Sequence, residues 1–192
     1  SSRFSAVKPT LIVEETAIPG LVVVRRERFE DQRGSLDRLF DIELVDSLLP
    51  GFTPGQVNYS VTIGQGTVRG LHYQGPPRAD AKIVTCLRGR VFDVAVDVRR
   101  DSPTFLAWHA VELSEDEGIS VVLPSGFAHG FQLLGDACEL LYVHGESYCE
   151  EAEGGLNPED PALSIPWPEV ISRMSNRDRD RPMLESNWLG VG

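Results

Sequence analysis

The stretch RGLHYQ, residues 69–74, places His72 between Leu71 and Tyr73 in a segment whose other residue types suit a β-strand. An imidazole there has three readings: a core histidine satisfied by a backbone hydrogen bond, a general base, or a metal ligand. A second histidine closes Pro124-Ser-Gly-Phe-Ala-His129, which reads P-x-G-x-x-H. Lys82 follows His72 by ten residues. A fixed ammonium can stabilise a developing oxyanion, the service a metal ion performs as a Lewis acid. Taken singly, Lys82 reads first as a solvated loop lysine.

Such residues act only when rigid elements hold them. Period-2 patterning dominates the chain. In VFDVAVDV, Phe92, Val94, Val96 and Val98 point one way while Asp93 and Asp97 alternate with them. LVVVRRERF, QVNYSVT, TVRGLHY, KIVTCLRG, FLAWHAVEL, ISVVLP, HGFQLLG and CELLYVHGE read as further strands. They are short and separated by turn residues such as Gly-Pro-Pro and Pro-Ser-Gly. That spacing predicts an all-β sandwich or barrel. One helix is expected over Ile42–Leu49, with an acidic start and a Pro-Gly stop. The C-terminal third reads as irregular, with short helical turns near PEVISRM. No linker, repeat or low-complexity tract divides residues 1–192, so one domain is expected.

Bulk properties narrow the partners. The formal net charge is −11, from 29 Asp and Glu against 18 Lys and Arg. Such a field does not attract nucleic acid or an anionic membrane, so an anionic ligand needs its own local cations. Cys86, Cys138 and Cys149 form no C-x-x-C pair, which suggests neither a disulfide framework nor a zinc site and fits a reduced, cytoplasmic compartment. Cys86, within KIVTCL, reads as a core residue. No apolar run approaches the ~20 residues of a membrane helix. SSRFSAVKPT lacks the apolar centre of a secretory leader.

Five residues lie between Gly66 and His72, six between Lys82 and Gly89, and P-x-G-x-x-H follows. This spacing resembles the two sequence boxes of the cupins, small jelly-roll β-barrels. Metal-binding cupins carry H-x-H and then a glutamate in the first box. Here Gln74 stands at the second histidine position and Lys82 near the glutamate position. Two imidazoles, an amide and an ammonium do not make a divalent-ion site, so a metal-free cavity is expected.

RGLHYQ, Lys82, FDVAVDVRRDSPTF, PSGFAHGFQLL, LLY and DPALSIPWP occur in this order. The set, spanning about Ile18 to Pro182, closely resembles the dTDP-4-dehydrorhamnose 3,5-epimerases and related nucleotide-sugar epimerases. The resemblance implies a cofactor-independent, homodimeric cupin-type jelly roll. It would invert carbon 3, carbon 5 or both in a dTDP-4-keto-6-deoxyhexose by way of an enolate. It implies His72 as base, Asp178 as the carboxylate that orients it, Tyr142 as the acid on the far face, and Lys82 at the enolate oxygen. Arg33, Gln56, Asn58, Arg69, His129, Tyr148, Glu153 and Arg177 would hold the substrate, with Tyr148 stacking on the thymine.

The chain also departs from the family. Members often read D-x-R-G-x-F-x-E where this chain reads DQRGSLDRL, with Arg38 at the acidic position. His144, two residues after Tyr142, shares a strand face with it. His109 has no motif around it. Rival expectations are a single-centre epimerase of antibiotic sugar synthesis, a keto-isomerase, a non-catalytic sugar-nucleotide-binding cupin and a metal-dependent cupin oxygenase.

Overall fold

The computed structural model describes residues 11–192; SSRFSAVKPT, read above for a leader, lies outside the described residues. In chain order the elements are β1 (Leu11–Glu15), β2 (Val22–Arg26), β3 (Phe29–Asp31), β4 (Gly34–Leu36), α1 (Ile42–Leu48), β5 (Gln56–Ile63), β6 (Val68–Gln74), β7 (Lys82–Arg88), β8 (Arg90–Asp97), β9 (Trp108–Ser114), β10 (Ile119–Leu123), β11 (Phe127–Leu133), β12 (Ala137–His144), β13 (Glu153–Gly155) and α2 (Asn176–Arg179). One sheet runs β1-β2-β10-β7-β12-β5 and a second β13-β6-β11-β8-β9, while β3 and β4 form a separate hairpin. Neighbouring strands are antiparallel, and the two sheets face each other as a cupin-like jelly-roll barrel. Among the described residues no helix is long and apolar enough to cross a membrane.

The alternation in VFDVAVDV survives, with a twist in its sense. Val94, Val96 and Val98 point out of the barrel and are buried there by Leu156, Leu163 and the partly buried Trp167 and Trp188. Val91 and Ala95 face inward with Phe131, Leu133 and Leu140, and Asp93 and Asp97 share their parity. The acidic face of this strand is therefore the interior one. Both aspartates are buried. The outer face of the first sheet is covered by α1, which packs Val45, with Leu49 and Phe52, on Val22, Ile83, Val122 and Val143. Asp41 caps that helix by accepting from the amides of Glu43 and Leu44. Each fully buried aliphatic side chain in these layers contributes ~1.5–3 kcal/mol.

Several boundaries differ from the sequence reading. LVVVRRERF breaks into β2 and β3. In FLAWHAVEL the strand starts only at Trp108, after Leu106 turns the chain with φ 64°. PEVISRM forms no helical turn. Its backbone pairs sideways instead: Ser172 N–H donates to Gly66 O, and Arg173 O accepts from Val68 N–H. Val170 is 90% exposed, so the segment has no apolar helix face to bury. The short helix α2 begins two residues later, behind Ser175 as N-cap.

One close approach sets the geometry of the interior. A Cβ on Gly70 would lie 2.5 Å from Gly130 Cα, and one on Gly130 would lie 2.6 Å from Arg69 O. The glycine pair lets β6 and β11 touch backbone to backbone beside a register shift between His129 and Phe131. His72 and His129 are partners in that ladder.

Candidate active site

Between the sheets opens a cavity of about 490 Å³, within the size range of small-molecule sites. His72 enters from β6 in the second sheet, and Tyr142 from β12 in the first. The two stand on opposite walls.

His72 is held from behind. Its Nε2 lies 2.6 Å from Asp178 Oδ1. Asp178 is buried on α2, where Ser175 Oγ accepts its amide. The second carboxylate oxygen accepts from Gly70 N–H at 3.3 Å. Burial opposes the charge of Asp178, but the hydrogen bond and charge of His72 and the Gly70 amide outweigh it. The carboxyl stays below its usual range. A carboxylate accepts, so Nε2 donates, and in neutral His72 the lone pair is on Nδ1.

Tyr142 is partly buried against the core. Burial pushes its phenol upward, and the negative charge of Asp93 pushes the same way. The phenol therefore stays protonated at neutral pH. His129 meets the ring edge-on at 6.1 Å between centroids. Its own Nε2 is 2.7 Å from Asp93 Oδ2, both residues being buried. Burial lowers the His129 pKa against the opposing charge of Asp93. Lys82, 8% exposed, lines the same cavity. Burial lowers its ammonium, while Asp80, Asp93 and Glu153 work to keep it charged. A cation flanked by carboxylates is suited to an oxygen that gains negative charge.

Gln56, Asn58 and Arg69 line the cavity beside these groups. Tyr148 and Glu153 stand at its rim, and the Tyr148 hydroxyl donates to Glu153 Oε2 at 2.8 Å. Arg177, on α2, forms an ion pair with the same carboxylate. Gln74 does not offer itself as a ligand. Its amide donates to Arg78 O and Ser147 O and accepts from Cys149 N–H, stapling the loop after β12.

Arg33 departs from expectation. It lies on the β3–β4 hairpin with its side chain 88% exposed, paired with Asp31 and outside the cavity of its own chain.

Sequence reasoning passed over two acids. Asp93 holds His129, and Asp80 holds His144 through Oδ2 and Nδ1 at 2.7 Å. For Asp93 the signal was an acid inside a strand apolar on both parities. For Asp80, in a polar loop, the sequence carries no signal.

The family model described as dTDP-4-dehydrorhamnose 3,5-epimerase matches residues 15–186. A dTDP-4-dehydrorhamnose 3,5-epimerase of Sinorhizobium fredii is 37% identical over 172 residues, covering 89% of this chain and 88% of that protein. A dTDP-4-dehydrorhamnose 3-epimerase of Streptomyces niveus is 35% identical, covering 87% and 81%. The Legionella pneumophila dTDP-6-deoxy-D-glucose-3,5-epimerase, solved in complex with dTDP-4-keto-L-rhamnose, superposes with a TM-score of 0.87 at 32% identity, covering 95% of this chain and 99% of that one. With its barrel, its facing His72 and Tyr142 and these matches, the chain belongs to the dTDP-4-dehydrorhamnose 3,5-epimerase family.

Proposed function

We propose that the protein is an isomerase that epimerises a dTDP-4-keto-6-deoxyhexose at carbon 3, carbon 5 or both. The observation that carries this is the placement of a carboxylate-held imidazole and a protonated phenol on opposite walls of one cavity. A proton next to a ketone leaves when a base takes it and the C–H electron pair moves into an enolate. Neutral His72 takes that proton. The carbonyl becomes an enolate oxygen, which the Lys82 ammonium stabilises. The Tyr142 hydroxyl then protonates the same carbon from the other face, and the enolate collapses back to the ketone. The configuration inverts with no net change in atoms or electrons. Phenolate and imidazolium return to their starting forms by proton exchange with water.

Arg69 and Arg177 are the cations suited to the diphosphate, with Gln56 and Asn58 as polar contacts. Tyr148 offers an exposed ring face for the base, beside Glu153. Nothing in this set of steps requires a cofactor.

A homodimer completes the proposal. On the outer face of the edge strand β5, Val57, Tyr59, Val61 and Ile63 are 60%, 58%, 49% and 62% exposed. Such an apolar row on a sheet edge suits a second copy of the chain. Arg33, which does not line the cavity of its own chain, would then enter the partner's.

The experiment is proton exchange in deuterium oxide with dTDP-4-keto-6-deoxyglucose, followed by NMR. Loss of the carbon 3 and carbon 5 signals, with inverted product trapped by a 4-keto reductase, supports two-centre epimerisation. Loss at carbon 3 alone supports the second reading, a mono-epimerase, which the similarity to the Streptomyces niveus 3-epimerase favours. Binding with no exchange at either carbon overturns both readings in favour of a sugar-nucleotide-binding protein.

A further inference from the structure

His144 has no part in the steps above, yet it lies in the cavity wall beside Tyr142. Its ring stacks on that of Tyr142, with centroids 5.9 Å apart and planes 13° from parallel. Its Nδ1 donates to Asp80 Oδ2 at 2.7 Å. In neutral His144 that leaves Nε2 as an acceptor. Asn58 Nδ2 faces Nε2 at 3.5 Å. Asn58 Oδ1 in turn accepts from Gln56 Nε2 at 3.2 Å, and Gln56 Oε1 accepts from Tyr148 N–H at 3.1 Å. Asp80 Oδ1 also accepts from Glu146 N–H.

Every donor in this chain points toward Asp80. One end is a backbone amide, which can only donate; the other is a carboxylate, which when ionised can only accept. The direction of each intermediate group is therefore fixed. Reversing His144 so that Nε2 carries hydrogen would set it against the Asn58 amide hydrogens. Asn58 and then Gln56 would have to turn over, leaving Gln56 Nε2 facing the Tyr148 amide, donor against donor. The other charged or titratable groups near His144 are Lys82, its ladder partner on β7, Tyr142 and Glu146.

We propose that His144 is a positioning residue with two separable tasks: its ring steadies the Tyr142 phenol, and its Asp80-fixed tautomer sets the direction in which Asn58 and Gln56 present their amides to substrate. This rests on the acid and substrate-holding roles proposed above.

Three variants of the full chain separate the tasks, assayed by the deuterium-exchange reaction. His144→Gln keeps an acceptor near the Nε2 position without a ring. It should hold KM within about threefold and lower kcat about tenfold. His144→Phe keeps the ring without nitrogens. It should hold kcat and raise KM about five- to tenfold, the effect of one misdirected hydrogen bond. His144→Leu should show both losses. If the three variants give the same kcat and the same KM as one another, the residue only fills space and the proposal is overturned.

A readout independent of turnover is nitrogen-15 NMR of the labelled histidines. In its neutral form, wild-type His144 should carry hydrogen on Nδ1 and none on Nε2. Asp80→Asn, which can present an amide hydrogen to Nδ1, should reverse this. An Nε2–H tautomer in the wild type overturns the proposal. Wild type that exchanges no substrate protons overturns the epimerase reading instead, and the tautomer still tests His144.

Discussion

His72 Nε2 and Asp178 Oδ1 lie 2.6 Å apart although 106 residues separate them in the chain. The barrel supplies the imidazole and the C-terminal segment supplies its orientation. Asp178 also accepts from Gly70 N–H, two residues before His72. The carboxylate thus fixes both the ring and the strand that carries it.

Asp178→Asn tests this arrangement. The asparagine carbonyl would take the Gly70 amide, and its NH₂ would then face His72 Nε2. The neutral imidazole would move its hydrogen to Nδ1 and lose the lone pair that takes the substrate proton. Exchange should slow by a factor on the order of 10²–10⁴, while equilibrium binding of dTDP stays near wild type. Unchanged exchange would show that Asp178 does not control the base.

Tyr142→Phe should uncouple exchange from inversion. His72 remains able to remove a proton and to return a solvent-derived one to the same face. Deuterium should still enter the substrate, while inverted product trapped by the reductase falls at least about 100-fold. Equal losses of exchange and inversion would place Tyr142 in substrate binding rather than in reprotonation.

Stability should fall as the solution is acidified through the histidine range. His129 is buried, and its pKa is depressed from the ordinary 6.5. Below about pH 6.5 the unfolded chain takes up a proton that the folded chain refuses. The unfolded state then binds more protons, so unfolding free energy rises with pH in this window and is lost as pH drops toward the folded pKa. Urea titrations at pH 7 and pH 5 should show the loss, and His129→Asn should reduce it. An identical pH slope in that variant would assign the effect elsewhere, His109 being another histidine whose pKa burial depresses.

Arg33 makes a prediction about two chains. Arg33→Ala and His72→Ala should each be impaired, the first through KM. In a mixed dimer, the cavity holding His72 would receive an intact Arg33 from the other chain. After subunit exchange, an equal mixture assayed at low substrate should recover about a quarter of wild-type sites, since half of random pairs are mixed and each has one complete cavity. No recovery, with exchange of subunits verified, would return Arg33 to its own chain or remove it from binding.

The motifs around His72 and His129 were legible because their spacing is local and their turns are marked by glycine and proline. Alternation marked most strands and capping chemistry marked α1, whose helix ends one residue short of the expected Leu49. Asp93 was harder to place. A valine–aspartate alternation reads as core and solvent, and only the layer laid down by Leu156, Leu163 and Trp167 makes the outside apolar and the inside acidic. Arg33 matched a motif, but a motif does not state whether the side chain lines the cavity, and here it pairs with Asp31 on an exposed hairpin. The short helical turn expected near PEVISRM is α2, just beyond it; PEVISRM itself stays extended because its backbone finds partners at Gly66 and Val68, about 100 positions away.

The segment that packs over the outside of the second sheet also delivers Asp178 to the inside. Competence is therefore tied to the state of the outer layer. A molecule whose barrel has closed but whose tail has lifted keeps an open cavity, a lysine and a phenol, yet its imidazole is unaimed. Such partial openings are cheaper than global unfolding when they expose little core. They would leave a population that has lost the aim of His72 together with the Arg177 cation on the same helix, so that activity, followed along a denaturant series, would fade before the barrel melts.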